Sequence, residues 1–183
     1  TNDNLLTIFT DHKGNVHRFS YDEMGRLTRD EDPAGGYTQL SRTQLDNGYE
    51  VNVKTAEGRE STYKVEYIPG VGTRRVDTDT LGGVTISEIN NNGTRKVSYP
   101  DGTLAIMVEG PDPRPGIGMQ SPITREFTIT TPGGLTSRIT RERSLEFAGE
   151  DSSKLFNIRK ITDTFNNNGK IHGTTYDLDT TKQ

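Results

Sequence analysis

The side chains that could perform catalysis or bind a metal are few in this sequence. It contains three histidines, His12, His17 and His172, and no cysteine. His12 and His17 flank one predicted turn, where a histidine is ordinarily solvated, so we expect no metal site even though Asp11 and Asp22 lie nearby in the sequence. The lack of cysteine excludes disulfides, thiolate ligands and cysteine nucleophiles, and leaves the redox compartment open.

Closely spaced carboxylates could in principle serve glycoside hydrolysis or calcium binding. No Asp-x-Asp-x-Asp-Gly calcium loop is present, and a carboxylate pair outside a cleft has no cause for a raised pKa. Serine also lacks the Gly-x-Ser-x-Gly setting that would make it a nucleophile. We therefore expect no catalytic residue, no metal and no cofactor. The carboxylate groups considered are Asp30-Glu31-Asp32, Asp77 with Asp79, and Asp177 with Asp179.

The composition describes a folded chain with a thin core. Of its 183 residues only 28% are hydrophobic, and the net charge is −4. Thr occurs 26 times and Ala only 4 times, and β-branched side chains favour strands, so the fold class is all-β. The acidic pI of about 5.4 disfavours nucleic acid as a partner. No apolar run reaches the length of a membrane helix, and no signal segment is present, so we expect no membrane insertion.

Glycine-containing turn signals recur along the chain at a nearly constant spacing. Gly14, Gly36 and Gly58 are separated by steps of 22 residues, and glycine supplies the positive φ that tight hairpin turns need. Between the turns, apolar and polar residues alternate with the period of a strand, as in residues 49–53 and 94–99. A single hairpin cannot bury its own apolar face. We therefore predict consecutive antiparallel hairpins forming a twisted, curved open sheet or a short β-spiral.

Two segments interrupt this spacing. Residues 110–122 hold four prolines and three glycines, which predicts an ordered loop or sheet-edge crossing between hairpins in 1–109 and further hairpins of the same sheet in 123–183. Residues 150–168 lack proline and glycine and fit either of two structures. Leu155, Ile158, Thr162 and Phe165 suit a helical face, but the surrounding composition favours a strand that ends in the Asn-Gly turn at 168–169.

One window of 18 residues carries a specific motif. From Tyr21 the chain reads YDEMGRLTRDEDPAGGYT, which resembles the YD repeat of the Rhs and teneurin-like family. A second, weaker resemblance to large bacterial proteins of this kind lies in Asp112-Pro113-Arg114 and in the segments 118–122 and 131–135. The residues that match the YD pattern are Tyr21, Asp22, Gly25, Arg26, Leu27, Thr28, Asp32, Pro33, Gly36 and Thr38.

This resemblance implies a structural function. In the family, hairpins coil into a spiral sheet that forms a hollow shell, which encloses a toxin or presents adhesion domains. We therefore expect a non-catalytic segment of a shell wall, truncated at both ends from a larger bacterial protein that is secreted or displayed on the cell surface. Its expected partners are the neighbouring repeats or domains of the same polypeptide.

The motif residues also have plausible roles from their own chemistry. Asp22 can bond to the backbone of its own turn, Gly25 can supply a left-handed residue, and Asp32-Pro33 can begin the next turn. Tyr21 and Leu27 lie six apart across a turn and can pair on adjacent strands. Arg26 is expected to lay its stem over Tyr21.

An alternative function is an extracellular module that binds carbohydrate or mediates adhesion. Tyrosines interleaved with polar residues can stack on sugars, although they can equally be cross-strand packing residues in a protein without Trp. A polysaccharide-acting enzyme is a second alternative. It would need two carboxylates positioned in a cleft, and the sequence gives no sign of such a pair. The candidate ligand-binding residues are Tyr37, Tyr49, Tyr63, Tyr67 and Tyr99.

Overall fold

The computed structural model describes residues 4–149 and 151–178. Within these ranges fourteen strands form one sheet in which each strand pairs with its neighbours in the sequence. Consecutive antiparallel hairpins in an open all-β sheet are thereby confirmed. The strands are β1 (Ile8–Thr10), β2 (Val16–Tyr21), β3 (Leu27–Glu31), β4 (Tyr37–Leu45), β5 (Gly48–Thr55), β6 (Glu60–Ile68), β7 (Gly72–Thr78), β8 (Val84–Asn90), β9 (Thr94–Ser98), β10 (Leu104–Asp112), β11 (Gly118–Thr130), β12 (Thr136–Phe147), β13 (Ile158–Asn167) and β14 (Lys170–Asp177).

The chain forms two compact units. The first comprises Thr1–Pro69 and Thr73–Ile86, and the second comprises Gly70–Gly72 and Ser87–Gln183. Their boundary does not coincide with residues 110–122, which all lie inside the second unit. The proline- and glycine-rich segment is therefore part of one unit.

A five-residue turn explains the regular glycine spacing. In residues 11–15 the amide of Gly14 donates to the carbonyl of Asp11, and the amide of Asp11 donates to the carbonyl of Asn15. The turns that begin at Asp32, Thr55 and Asp79 repeat this arrangement. Successive hairpin turns alternate between the two ends of a sheet, so turns at the same end recur after two strands. The spacing is thus one strand out and one strand back, and the equivalent turn glycines, Gly14, Gly35 and Gly58, are 21 and 23 residues apart.

The residue that takes the positive φ in the second of these turns differs from the prediction. Gly35 has a φ of +88°, whereas Gly36, the residue used for the 22-residue spacing, does not lie in the left-handed region. A Cβ on Gly36 would overlap the carboxylate of Asp32. A side chain at position 36 would therefore have to displace the carboxylate of Asp32.

The segment 110–122 is mostly strand, which corrects the predicted loop. β10 continues to Asp112 and β11 begins at Gly118, so only residues 113–117 lie outside the two strands. Shifts in register between Val108 and Glu109, and between Gly110 and Asp112, accommodate the irregular backbone. β11 pairs with β12 only from Glu126 onward, so the residues before it have an open side where proline is tolerated.

The ambiguous segment 150–168 is a strand over most of its length. β13 begins at Ile158 and is preceded by a single 3₁₀ turn at Leu155–Asn157. The strand alternative is therefore confirmed from Ile158, the helical alternative is wrong, and Glu150 lies outside the described residues. Asn168 and Gly169, with φ of +49° and +91°, form the predicted hairpin turn onto β14.

In β4 to β6 one face of the sheet is mainly apolar and the other is charged. Cross-strand pairing places Leu40 opposite Val53, and Val51 opposite Tyr63, on one face. The opposite face carries ion pairs from Lys54 to Glu60 and from Lys64 and Arg74 to Glu66. Few apolar side chains are enclosed by such a single layer. The buried hydrophobic residues among those described are Ala105, Ile123 and Ile158.

Candidate functional site

The first part of the YD motif is a turn closed by its own side chains. Register places Tyr21 opposite Leu27 across the β2–β3 hairpin, and the Tyr21 hydroxyl donates to the carbonyl of Leu6 at 2.8 Å. Thr28, the next motif residue, is half-buried on β3, beside the irregularity in that pairing. Tyr21 therefore ties the hairpin to the segment that precedes β1.

Asp22 organises the turn between β2 and β3. Its Oδ1 accepts the amides of Met24 and Arg26 at 2.9 and 3.0 Å, and its Oδ2 accepts Nε of Arg26 at 2.7 Å. The backbone and side-chain bonds from Arg26 hold the pKa of Asp22 below its usual value. Gly25 has a φ of +75°. The structure thus places Arg26 against Asp22, which differs from its predicted position over Tyr21, because the ion pair and the turn amide use the same carboxylate.

Asp32 repeats this geometry in the next turn. Its Oδ1 accepts the amides of Ala34 at 2.8 Å and Gly36 at 3.0 Å, while Pro33 occupies the second turn position. Asp11 and Asp79 accept the corresponding pairs of amides in their own turns. The same five-residue turn therefore recurs at both ends of the matched motif and again beyond it.

The five candidate ligand-binding tyrosines do not all lie on one face of the sheet. The guanidinium of Arg29 lies 3.7 Å above the ring of Tyr37, and that of Arg42 lies 4.4 Å above the ring of Tyr49. Both rings are therefore already stacked against an arginine of the same chain. Register places Tyr37 and Tyr49 on opposite faces of the sheet. Tyr63, Tyr67 and Tyr99 remain exposed, with about half of each surface accessible to solvent.

A buried cluster of ion pairs was missed by the sequence interpretation. Arg143 on β12 donates through Nη1 to Asp112 on β10 at 2.8 Å, and through Nε and Nη2 to Asp163 on β13, also at 2.8 Å. Arg141 donates to Asp163 at 2.6 Å, and Arg114 donates to both carboxylate oxygens of Asp112. We call these five residues the arginine clamp.

The position of the arginine clamp follows from the strand pairing. β11 and β12 separate beyond the pair Glu126 and Thr140, so the far ends of the β10–β11 and β12–β13 hairpins are not joined by a ladder. Arg143 spans that separation and bonds to one carboxylate on each hairpin. The arginine clamp therefore connects the two hairpins where the backbone pairing of β11 with β12 has ended.

The electrostatics of the arginine clamp suit a structural function. Asp112 and Asp163 are only 2% and 3% exposed. Hydrogen bonds from Arg143 and Arg141 outweigh the cost of burial and lower the pKa of Asp163 from 3.8 to about 2. Burial raises the pKa of Asp112, but the bonds from Arg114 outweigh it and the net shift is downward. Carboxylates held so firmly in the ionised form are unsuited to transferring protons near neutral pH.

The other histidines and carboxylates considered for catalysis or metal binding are dispersed. The described residues contain no group of three or more histidines and carboxylates arranged to hold a metal ion. His17 lies beside Phe9, with ring centres 5.9 Å apart, and lines an open depression of about 430 Å³ together with Asp30 and Asp32. Asp179, the partner of Asp177 in one carboxylate pair, lies outside the described residues.

Two comparisons with known proteins bear on the chain. Residues 1–37 match the family model RHS Repeat, and this match includes the turn at Asp22 and most of the YD motif. The chain therefore carries an RHS repeat, the YD repeat that the motif resembles. Proteins with this repeat are typically secreted or on the cell surface, and the repeat is generally structural. No curated protein matches the chain.

Solved structures also resemble the chain, and one of them does so over most of its length. It is a porin-like protein from Bacteroides uniformis, 19% identical, with a TM-score of 0.33; the alignment covers 91% of this chain. The chain spans 54% of that protein's length. Separately, none of the described segments forms a helix long and apolar enough to cross a membrane.

Proposed function

We propose that the chain is a non-catalytic segment of a shell wall within a larger secreted or surface-displayed bacterial protein. Its hairpins would extend edge to edge into neighbouring repeats of the same polypeptide. The observation that carries this proposal is the strand order, because fourteen strands follow one another in sequence and, among the described residues, β1 and β14 each pair on one side only. The RHS repeat at residues 1–37 supports it.

The side-chain chemistry supports a structural function as well. The carboxylates of the turn aspartates accept hydrogen bonds from backbone amides. These aspartates are Asp11, Asp22, Asp32 and Asp79. The buried carboxylates of the arginine clamp are neutralised by guanidinium groups. These carboxylates thus stabilise turns and hold hairpins together. The wall formed in this way would enclose a toxin or present adhesion domains that belong to the same polypeptide.

Electron microscopy of a longer polypeptide, in which this chain is flanked by further repeats, tests the proposal. We expect the sheet to continue without a break from β1 and from β14 into strands of the flanking repeats. A chain that instead forms a separate module on a flexible linker, with both terminal strands still exposed, would contradict the wall proposal. Protease resistance of the domain that follows the repeats would then distinguish an enclosed toxin from an externally presented adhesion domain.

Carbohydrate binding is a second candidate, favoured by the exposure of Tyr63 and Tyr67 on β6. Their spacing of four residues places both rings on one face of the strand. Glycan-array screening of the wild type against a Tyr63→Ala, Tyr67→Ala double variant tests it, with Tyr37→Ala as the matched control because that ring is covered by Arg29. Absence of binding to any glycan would remove this candidate.

A further inference from the structure

A depression on the sheet lies where β3 and β4 separate. Their ladder covers only residues 29–31 of β3 and 37–39 of β4, whereas β4 pairs with β5 as far as Leu45. The ends of the β2–β3 and β4–β5 hairpins are therefore not joined by a ladder. The depression between these two ends has a volume of about 280 Å³.

Much of the lining of this depression is apolar. Leu40 and Val51 contribute to it from the β4–β5 hairpin and are half-buried, and the more exposed Leu27 contributes from β3. Register places Val51 directly opposite Arg42, and Leu40 lies two residues from Arg42 on the same face of β4. An apolar group that rests against these side chains would be removed from water, which is favourable.

Two arginines, one from each hairpin, line the same depression. Arg26 donates Nε to Asp22 at 2.7 Å, and Asp22 is the one carboxylate among the described lining residues. Arg42 has no carboxylate partner among the residues that the structure describes, and its Nη1 donates to the neutral side-chain oxygen of Gln44 at 2.9 Å. The lining therefore carries one positive charge in excess, although the whole chain has a net charge of −4.

Arg42 is held in place and has donors to spare. Its guanidinium lies 4.4 Å above the ring of Tyr49, and the bond to Gln44 occupies one of its nitrogens. A guanidinium presents five N–H donors in a planar fork that matches a carboxylate. Because the stacking on Tyr49 already orders the side chain, a carboxylate can bind there with little further loss of side-chain freedom.

The arginine clamp shows the same kind of separation with its charges matched. There Arg143 bonds to Asp112 and Asp163, one on each of the two hairpins. Between β3 and β4 each hairpin instead supplies a guanidinium, and the lining carboxylate, Asp22, belongs to the turn of one of them and is bonded to its amides. An anion that bridges the two hairpins is thus missing here, and a ligand can supply it.

We propose that this depression binds a small carboxylate that carries a short apolar body. The carboxylate bonds to Arg42 on the side that faces Arg26, and the apolar body lies against Leu27, Leu40 and Val51. The volume is near the lower end of the range for small-molecule sites, which limits the body to a short chain or a single ring. The inference goes beyond the wall proposal and does not depend on it, because every residue involved lies within the first compact unit.

An NMR titration of the 183-residue chain with hexanoate tests the site, with 1-hexanol and acetate as matched probes. Hexanol keeps the apolar body without the charge, and acetate keeps the charge without the body. We expect hexanoate to bind with a dissociation constant on the order of 1 mM and each of the other probes to bind roughly 10-fold more weakly or worse. The amides of Leu40 and Arg42 should shift, and that of Arg143 in the arginine clamp should not.

Two variants separate the charged and apolar parts of the site. Arg42→Gln should weaken hexanoate binding roughly 10-fold and leave hexanol binding unchanged. Arg59→Gln is its matched control, because Arg59 is an exposed, ion-paired arginine of the same unit that does not line the depression. Val51→Thr keeps the shape of the side chain but adds a hydroxyl, so it should weaken hexanoate and hexanol without affecting acetate.

Every other outcome counts against the proposal. Equal binding of hexanoate and hexanol, equal binding of hexanoate and acetate, shifts centred elsewhere in the chain, or an unchanged affinity in Arg42→Gln would each overturn it. Amide spectra of the variants verify that they are folded. If Arg42→Gln does not fold, the salt dependence in the wild type decides, because added salt should weaken the binding of hexanoate and leave that of hexanol unchanged.

Discussion

Arg143 donates through Nη1 to Oδ2 of Asp112 at 2.8 Å although β11 lies between their strands in the sheet order. The side chain of Arg143 is 12% exposed and that of Asp112 is fully buried. The contact spans the point where two adjacent hairpins cease to share a ladder. The stability of this part of the sheet therefore depends on a charged side chain where backbone pairing ends.

Replacing the central arginine should be costly. Arg143→Met keeps much of the volume but leaves Asp112 and Asp163 with fewer partners in a buried setting, and breaking a buried pair in this way typically costs about 3–5 kcal/mol. Urea unfolding measures the change. Arg138→Met is the matched control on the same strand, because its pair with Glu126 is exposed and its loss should change stability little. Equal losses of stability in the two variants would contradict the stabilising role of the arginine clamp.

Stability should fall at low pH in a defined range. The pKa of Asp163 is lowered from 3.8 to about 2, so its contribution is complete above the unfolded value and is lost as pH falls from about 4 to about 2. A shift of this size corresponds to roughly 2 kcal/mol. Unfolding midpoints measured across this range should drop in the wild type and be flatter in Asp163→Asn. Glu57→Gln, on an exposed turn, should retain the wild-type slope.

The motif glycine should be required for its backbone conformation. Gly25 has a φ of +75°, and a Cβ there would meet only Leu5 Cδ1 at an ordinary 3.7 Å. Gly25→Ala should therefore destabilise the chain through the left-handed conformation, by about 1–2 kcal/mol. Gly133→Ala, in a turn position without positive φ and with open space around it, should be neutral or slightly stabilising. Thermal unfolding of both variants tests this, and a neutral Gly25→Ala would refute it.

A second glycine should be required for space. A Cβ on Gly48 would overlap the carbonyl oxygen of Val65 on the paired strand β6. Since the obstacle is backbone, Gly48→Ala must displace β5 from β6 and should cost about 2 kcal/mol or more. Gly173→Ala, which meets nothing within 4 Å, is the control for adding a methyl group to a strand glycine. Denaturant unfolding should show a larger loss of unfolding free energy for Gly48→Ala than for Gly173→Ala, and equal losses would contradict the backbone overlap.

The fold could be predicted because its signals are local. The turn at Asn168-Gly169 and the alternation along β4 and β5 depend on residues close in the sequence. The structure differs from the loop predicted at 110–122 because proline can occupy strand positions that donate no ladder bond. Pro111 lies where the register shifts, and Pro122 lies on a strand with one open side, so neither needs the missing amide.

The candidate site was only partly accessible from sequence. Asp22 and Asp32 were identified because a turn carboxylate bonds within five residues. The arginine clamp was not, because it joins Asp112 to Arg143, 31 residues apart, and depends on where β11 and β12 separate. The alternation of Arg141 and Arg143 on an otherwise apolar strand face was the available signal, since charges there need partners.

Hydrogen exchange at the outer edge of β14 tests the wall proposal most directly. In the dilute 183-residue chain, the amides of Ile171, Gly173 and Thr175 should exchange fast, while the amides of the even-numbered residues between them are protected by β13. In the longer polypeptide with flanking repeats, all of these amides should be protected. If the three outward amides exchange equally fast in both polypeptides, β14 is not extended by a neighbouring strand and the chain is not a segment of a continuous wall.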